Sequence, residues 1–295
     1  MSPVKIVLAL LAGLAIASPA AAADLPAAPA APPKAPVFTP GWTFRITPYA
    51  WATSLNGSQT IRGRTFDVNA SFIDIIDNTI GDGGSLVALM LDMEARNGPF
   101  ALLADFIGEK ITVNRSGLTS RSVAPEVRGT LGAAASLQIQ MAIVEGGAAY
   151  EVGHLGPVAF DVLAGARYWY QKLDVSIDLA GTVDLGDLRV AGTRGIARSG
   201  SVDWIDGFAG ARARFDLAPG HHVELRGDLG GGGSKFTWNA LAAYGYDFTT
   251  KNNVTYTAVI GYKALYVDYV QGAGRNRYEF DMLQHGPVLG LSIRF

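Results

Sequence analysis

The sequence predicts an all-β fold, a closed antiparallel transmembrane β-barrel of about ten strands, with eight or twelve as the alternatives. Three observations carry this prediction. The chain ends in strict alternation, Pro287-Val-Leu-Gly-Leu-Ser-Ile-Arg-Phe295: Leu289, Leu291, Ile293 and Phe295 share one face, and Val288, Gly290, Ser292 and Arg294 share the other. The same period recurs upstream in segments longer than the roughly 5–6 residues usual for soluble strands, as a tilted membrane strand of about 9–11 residues requires. An export signal opens the chain, and no apolar stretch long enough to span a membrane as a helix follows it.

At the N-terminus, Lys5 supplies a positive charge, Ile6 to Ile16 is an apolar run, and Ser18-Pro-Ala-Ala-Ala-Ala23 is a small-residue cleavage site. The run is too short to cross a bilayer core of about 30 Å, which favours cleavage over anchoring. Residues 24–40 are rich in Ala and Pro and cannot pack a core, so they read as an extended periplasmic tail. The division is therefore 1–23 signal peptide, 24–40 tail and 41–295 barrel.

Ten strands are expected at 42–53, 85–96, 99–113, 130–151, 157–179, 202–216, 222–231, 236–248, 254–269 and 277–295. In 157–171, Phe160, Val162, Tyr168 and Tyr170 take the lipid parity, and Asp161, Arg167 and Gln171 the lumen parity. In 236–248, aromatics (Phe236, Trp238, Tyr244, Tyr246, Phe248) flank Ala240 and Ala242, the pattern of an aromatic girdle around an apolar band. Short turns at Asn97-Gly-Pro99, Gly153–Pro157, Ala218–His222 and Thr250–Asn253 alternate with longer connections near 114–129, 180–201, 231–235 and 271–276. An even strand count keeps both termini on the short-turn, periplasmic side. Within 55–84, Asn56-Gly57 reads as the start of a hairpin through Ile61 and Val68, and Ser71–Asn78 as a short capped helix or loop.

Composition narrows the function classes. With 36 Gly in 295 residues and 17% charged residues, the chain is richer in Gly than the usual ~7% and poorer in charge than the usual ~25%. A net charge of −2 argues against nucleic acid as a partner, since neutralising phosphates needs a basic excess. The absence of Cys excludes disulfides, thiolate metal sites, a Cys nucleophile and a lipoprotein anchor.

The alternating C-terminus with its terminal aromatic resembles the last strand of Gram-negative outer-membrane proteins. The resemblance implies that Leu289, Leu291, Ile293 and Phe295 form an assembly signal read by the barrel-assembly machinery, with periplasmic chaperones as partners in transit. Thr47-Pro-Tyr-Ala-Trp51, Asp203-Trp-Ile-Asp206, Gly227-Asp-Leu-Gly-Gly231, Gly261-Tyr-Lys263 and His285-Gly-Pro-Val-Leu-Gly290, with the Ala/Pro-rich segment after the signal, resemble an alphaproteobacterial-type family of outer-membrane β-barrels. That resemblance covers nearly all of the mature chain and implies a barrel and an outer-membrane location; no activity comes with it.

Lumen parity collects Asp92, Glu94, Arg96, Asp105, Glu109, Asp161, Arg167, Asp206, Arg212, Glu224, Arg226, Asp228, Lys263 and Arg294. Opposite signs in a narrow barrel should pair, because an unpaired buried charge costs several kcal/mol. The expectation is a salt-bridge network that fills the lumen, with a small diffusion pore as the alternative and a lipid-modifying enzyme as a second one. The enzyme reading is disfavoured: His154, His221 and His222 fall in turns, and His285 lies at lipid parity between Gln284 and Gly286, without a neighbouring Ser. No catalytic, cofactor-binding or metal-ligating set is therefore expected. Arg115, Arg121, Arg189, Arg194 and Arg275 lie in the longer connections and are candidates for contact with lipopolysaccharide phosphate, which Arg binds bidentately.

Overall fold

The computed structural model describes residues 41–295 apart from 62–63, 78, 80–83, 125–126 and 185–188. The signal and tail segments lie outside the described residues. Twelve strands follow in chain order: β1 (Thr43–Trp51), β2 (Ser54–Ile61), β3 (Arg64–Ala70), β4 (Ser85–Asn97), β5 (Phe100–Ala124), β6 (Val127–Leu155), β7 (Val158–Asp184), β8 (Arg189–Ala218), β9 (His221–Gly232), β10 (Phe236–Lys251), β11 (Val254–Gln271) and β12 (Tyr278–Arg294). One short helix, α1 (Phe72–Ile76), lies between β3 and β4.

Ten of these strands close a ring. β1 pairs with β4, successive strands pair antiparallel from β4 to β12, and β12 returns to β1. Closure is fixed at the short-turn rim, where Phe44 and Phe295 exchange backbone hydrogen bonds of 2.8 and 2.9 Å and their rings stack at 5.8 Å. The predicted ten-stranded barrel is therefore the observed one, with β2 and β3 outside the ring.

The 55–84 region holds the expected hairpin and helix, with one difference. Asn56 and Gly57 lie inside β2 rather than at the turn, because Gly57 lets β2 lie against β12: a Cβ there would meet the Asp281 carbonyl oxygen at 2.1 Å. In α1, the Ser71 hydroxyl accepts from the Asp74 N–H while Asp74 accepts from the Ser71 N–H, a reciprocal cap. Donation from the Ser71 hydroxyl at 2.7 Å and from the Ser71 N–H at 2.9 Å holds the exposed Asp74 carboxyl below the usual carboxylate range.

A second difference concerns the far rim. Segments 114–129 and 180–201, expected as loops, largely continue as strand, so β5 to β8 run 25–30 residues. Outside a bilayer both faces of a sheet meet water, and the apolar alternation that reveals a membrane strand is no longer required. These four strands stand above the rest of the ring: β4 pairs with β5 only up to Thr112, and β9 pairs with β8 only from Asp206 onward.

β12 acts as a common rail for β1 and β2. Val288–Arg294 pairs with β1, and Glu279–His285 pairs with β2. Thr47 and Pro48 are skipped in the β1–β12 ladder, where proline has no N–H to give. At the crossing from β1 to β2 the Ala52 N–H donates to the Pro287 carbonyl at 2.9 Å, and Gly286 makes room for the chain. A Cβ on Gly286 would sit 1.9 Å from the Ala52 carbonyl oxygen. Gly286→Val is thus expected to lift the β2–β3 hairpin off the wall, read as faster proteolytic cleavage near residues 54–70 in the folded protein. Unchanged protection would show that the hairpin is held by other contacts.

Outward side chains form an apolar band with Leu102, Val144, Val162, Leu225, Ile260, Leu289 and Leu291 exposed in it. Aromatics border it on both sides. Phe44, Phe100, Tyr150, Phe160, Phe248 and Phe295 mark the short-turn rim, and Tyr168, Phe236 and Tyr262 the other border. This is the outer surface of a barrel solvated by lipid.

Candidate functional site

The inward faces meet across the lumen in two layers of different chemistry. Nearer the short-turn rim lies a charge layer. Arg45 of β1 reaches Glu94 at 3.1 Å, Asp92 at 3.3 Å and Glu224 of β9 at 3.3 Å. Arg212 of β8 binds Glu94 of β4 at 2.7 Å and Asp161 of β7 at 2.8 Å. Asp161 also takes Arg96 at 3.2 Å and Arg214 at 3.0 Å, and Arg214 binds Glu151 at 2.5 Å. Charge-assisted pairs of this kind are directional, so they fix side chains as well as neutralise them.

A second charged group sits beside it. Arg167 is fully buried between Glu145 at 2.7 Å and Asp228 at 2.8 Å, and donates to Thr237 Oγ1 at 3.2 Å. Arg226 joins the same two carboxylates at 2.9 and 3.0 Å, and Asn239 donates to Asp228 at 3.1 Å. The guanidinium carbons of Arg167 and Arg226 lie 5.1 and 5.6 Å from the centre of the Phe208 ring. Gly165 leaves space for that ring, since a Cβ there would meet Phe208 at 2.7 Å and the Gly146 carbonyl oxygen at 2.3 Å. On the opposite wall Lys263 of β11 reaches Asp105 of β5 at 2.7 Å, and Tyr49 donates to the same carboxylate at 2.8 Å.

Beyond the charges, toward the far rim, the lumen is apolar. Trp51, Met90, Ile107, Ile143, Trp169, Trp204, Leu265, Tyr269, Phe280 and Met282 form one buried cluster. Trp204 stacks on Tyr269 at 3.9 Å and on Trp169 at 5.4 Å. Trp169 of β7 also meets Phe280 of β12 edge-on at 6.5 Å. β7 and β12 face each other directly, five places apart in the ring of ten. Just above them the Tyr278 hydroxyl donates to Gln171 Oε1 at 2.5 Å, joining the same two walls.

Most of the residues assigned to the lumen by parity meet there, and three of the assignments need correction. Asp206 is buried but has no guanidinium partner among the described residues: it accepts from the Trp204 indole at 3.1 Å and the Ser234 N–H at 2.7 Å. Glu109 makes no ion pair among the described residues, because the neighbours at its height belong to the apolar layer. Arg294 stays at the short-turn rim, 3.4 Å from Asp247, because β12 ends there. Arg45, Glu145, Glu151 and Arg214 belong to the network and were not foreseen, although Arg45 shares parity with Thr47 and Tyr49 on β1. Of the arginines proposed to meet lipopolysaccharide, Arg275 is exposed in the turn between β11 and β12. The side chains of Arg115, Arg121, Arg189 and Arg194 lie outside the described residues.

No protein-family model matches the chain, and no curated protein resembles it in sequence. Solved structures with some likeness are themselves β-barrels. A FadL homologue of Pseudomonas aeruginosa is 8% identical over 86% of this chain and 90% of its own, with a TM-score of 0.30. Ail, the attachment invasion locus protein of Yersinia pestis, is 13% identical over 87% and 100%, with a TM-score of 0.30. The outer-membrane protease OmpT of Escherichia coli is 11% identical over 89% and 99%, with a TM-score of 0.33. Likeness at this level reaches no further than barrel architecture.

Among the described residues the hydrogen-bond partners of the histidine rings are carboxylates, phenols and a carboxamide, and His222 shares Asp247 with the Thr257 hydroxyl. His154 pairs with Glu151, and His222 lies between Asp216 at 3.0 Å and Asp247 at 2.9 Å. His285 is on the outer face, as its parity predicts, bridging Tyr262 and Asn56 at 2.6 Å each. Tyr262, His285, Asn56 and Asn69 thus form a polar string across β11, β12, β2 and β3, at the level where the apolar band of β12 ends.

Proposed function

We propose that this chain is an integral outer-membrane barrel with a sealed lumen and a structural, surface-facing, non-enzymatic role. The observation that carries the reading is contact between opposed walls at successive heights: Glu94–Arg212, Asp105–Lys263, Trp169–Phe280 and Gln171–Tyr278. Ten strands give a lumen near the limit that side chains can fill, and here they meet in the middle. The apolar band and its aromatic borders support the membrane placement, with the short turns periplasmic and the tall β5–β8 wall outside. Export by the N-terminal segment, an alphaproteobacterial-type envelope, and contact of the loop-side arginines with lipopolysaccharide belong to the same proposal.

Planar-bilayer recording of the refolded mature protein tests it. The expected result is little or no steady conductance, because each ionic contact is walled off by an aromatic layer above it. A large, stable, ion-selective conductance in the unmodified protein would make it a diffusion pore instead.

A further inference from the structure

At the short-turn rim the ring of His222 sits between two carboxylates, groups that only accept hydrogen bonds when ionised. Its Nδ1 lies 3.0 Å from Asp216 Oδ1 on β8, and its Nε2 lies 2.9 Å from Asp247 Oδ2 on β10. A neutral imidazole carries one N–H and one lone pair, so it satisfies one of these carboxylates and turns the lone pair on the other. Both contacts are favourable only when the ring holds two protons and a positive charge. The geometry is that of an imidazolium bridging two strands that are not neighbours in the ring.

The two carboxylates are held unequally. The Asp247 side chain is 16% exposed, accepts from the Thr257 hydroxyl of β11 at 2.5 Å and lies 3.4 Å from the Arg294 guanidinium of β12. The Asp216 side chain is 81% exposed and, among the described residues, is held by His222 alone. Both stand beside irregular backbone: the β8–β9 ladder slips between Asp216 and Ala218, and the β10–β11 ladder between Asp247 and Thr249. The other charged groups nearby are engaged elsewhere. One position deeper, Arg214 of β8 binds Glu151 and Asp161, and Glu224 of β9 meets Arg45 and Arg212. His221, next along β9, meets the Tyr244 hydroxyl instead. The charges grouped around His222 are therefore Asp216 from β8, Asp247 from β10 and, behind Asp247, Arg294 from β12. Burial of the ring opposes its charge, but the hydrogen bonds and charges of Asp247 and Asp216 outweigh that and raise the imidazole above its ordinary value.

We propose that His222 is a proton-operated clasp at the short-turn mouth of the barrel. Doubly protonated, it ties β8 to β10. On losing one proton it keeps the N–H that faces the better-held Asp247, and the exposed Asp216 is released together with the β8–β9 turn at 217–220. The clasp contributes fully below about pH 6.5, where an unfolded histidine is charged as well, and its contribution is lost as pH rises through the higher folded value. It draws only on the geometry of the rim, so it goes beyond the sealed-lumen reading without depending on it.

Nuclear magnetic resonance of the refolded mature protein in micelles tests it with two readouts. The histidine ring signals, with that of His222 assigned by its loss in His222→Gln, give the titration. The Asp216 amide, which donates to the Pro157 carbonyl at 3.1 Å, and the Asp247 amide, which donates to the Gly220 carbonyl at 2.8 Å, report the backbone on either side of the clasp. The expected result is a His222 midpoint above that of an ordinary histidine, lowered in Asp216→Asn. Across that midpoint the hydrogen-exchange protection of the Asp216 amide should fall several-fold while that of Asp247 holds, and the step should vanish in His222→Gln. Asp216→Asn alters an exposed side chain, and heat-modifiable migration in detergent gels checks that it folds. A ring that titrates at or below about 6.5, or whose midpoint is unmoved by Asp216→Asn, would overturn the proposal. So would protection that is constant through the midpoint, lost equally at both amides, or lost to the same extent in His222→Gln.

Discussion

Arg167→Ala is expected to lower the stability of the folded barrel by about 3–5 kcal/mol, the range for removing one partner from a buried ion pair. The guanidinium is fully buried and serves Glu145, Asp228 and Thr237 at once, so its loss leaves Glu145 and Asp228 with only Arg226 between them. It also removes one of the two cations over Phe208. Urea titration of the refolded protein in micelles, followed by tryptophan emission, reads the change directly. The compensated variant Arg167→Met/Glu145→Gln should recover most of the loss, since it removes one buried cation together with one buried anion and leaves Asp228 paired with Arg226. An Arg167→Ala barrel as stable as the parent would mean that water enters the lumen and solvates the carboxylates.

Deleting Phe295 is expected to remove most of the assembled barrel from cells while leaving refolding in detergent largely intact. In the folded protein the residue contributes two backbone hydrogen bonds to Phe44 and one ring stack. Those contacts are worth about 1–3 kcal/mol, too little to prevent closure of a ring held by nine other ladders. The proposal adds recognition of the C-terminal strand during cellular assembly. Phe44→Ala separates the two effects, because it loses the stack but keeps the terminal aromatic. Heat-modifiable folded protein in the membrane fraction is the measurement. If Phe44→Ala and the deletion fall equally, closure contacts suffice and the recognition role of Phe295 is refuted.

The ring was legible in the sequence wherever the two faces of a strand differ. Phe160, Val162 and Tyr168 point outward from β7 while Asp161 and Arg167 point inward, and β12 behaves alike with Leu289 and Leu291 against Val288 and Ser292. The apolar layer was hidden for the same reason. On β11 the inward Leu265, Val267 and Tyr269 alternate with Ala264 and Tyr266, so both faces are apolar and period two says nothing about which is the lumen. Partners were less legible than positions. Asp206 shares parity with the arginines, but Trp204 two residues away and the turn at Ser234 reach it first. The hairpin outside the ring is legible from Asn56-Gly57, Ile61 and Val68, whereas its attachment depends on β12 being long enough for two strands, which only the pairing reveals.

The unequal height of the wall has a bearing on how copies coexist in a crowded membrane. Among the described residues, the edge of β5 above Thr112 and the edge of β8 above Asp206 have no ladder partner from a neighbouring strand of the ring. Bare sheet edges standing in water are templates on which a neighbour can add its own strand, and charge placed along such an edge is one way of preventing that. Both edge strands carry arginine there, Arg115 and Arg121 on β5 and Arg189, Arg194 and Arg198 on β8. Two barrels drifting together rim to rim would therefore bring arginine-bearing strands against one another, which opposes polymerisation through the projecting sheet.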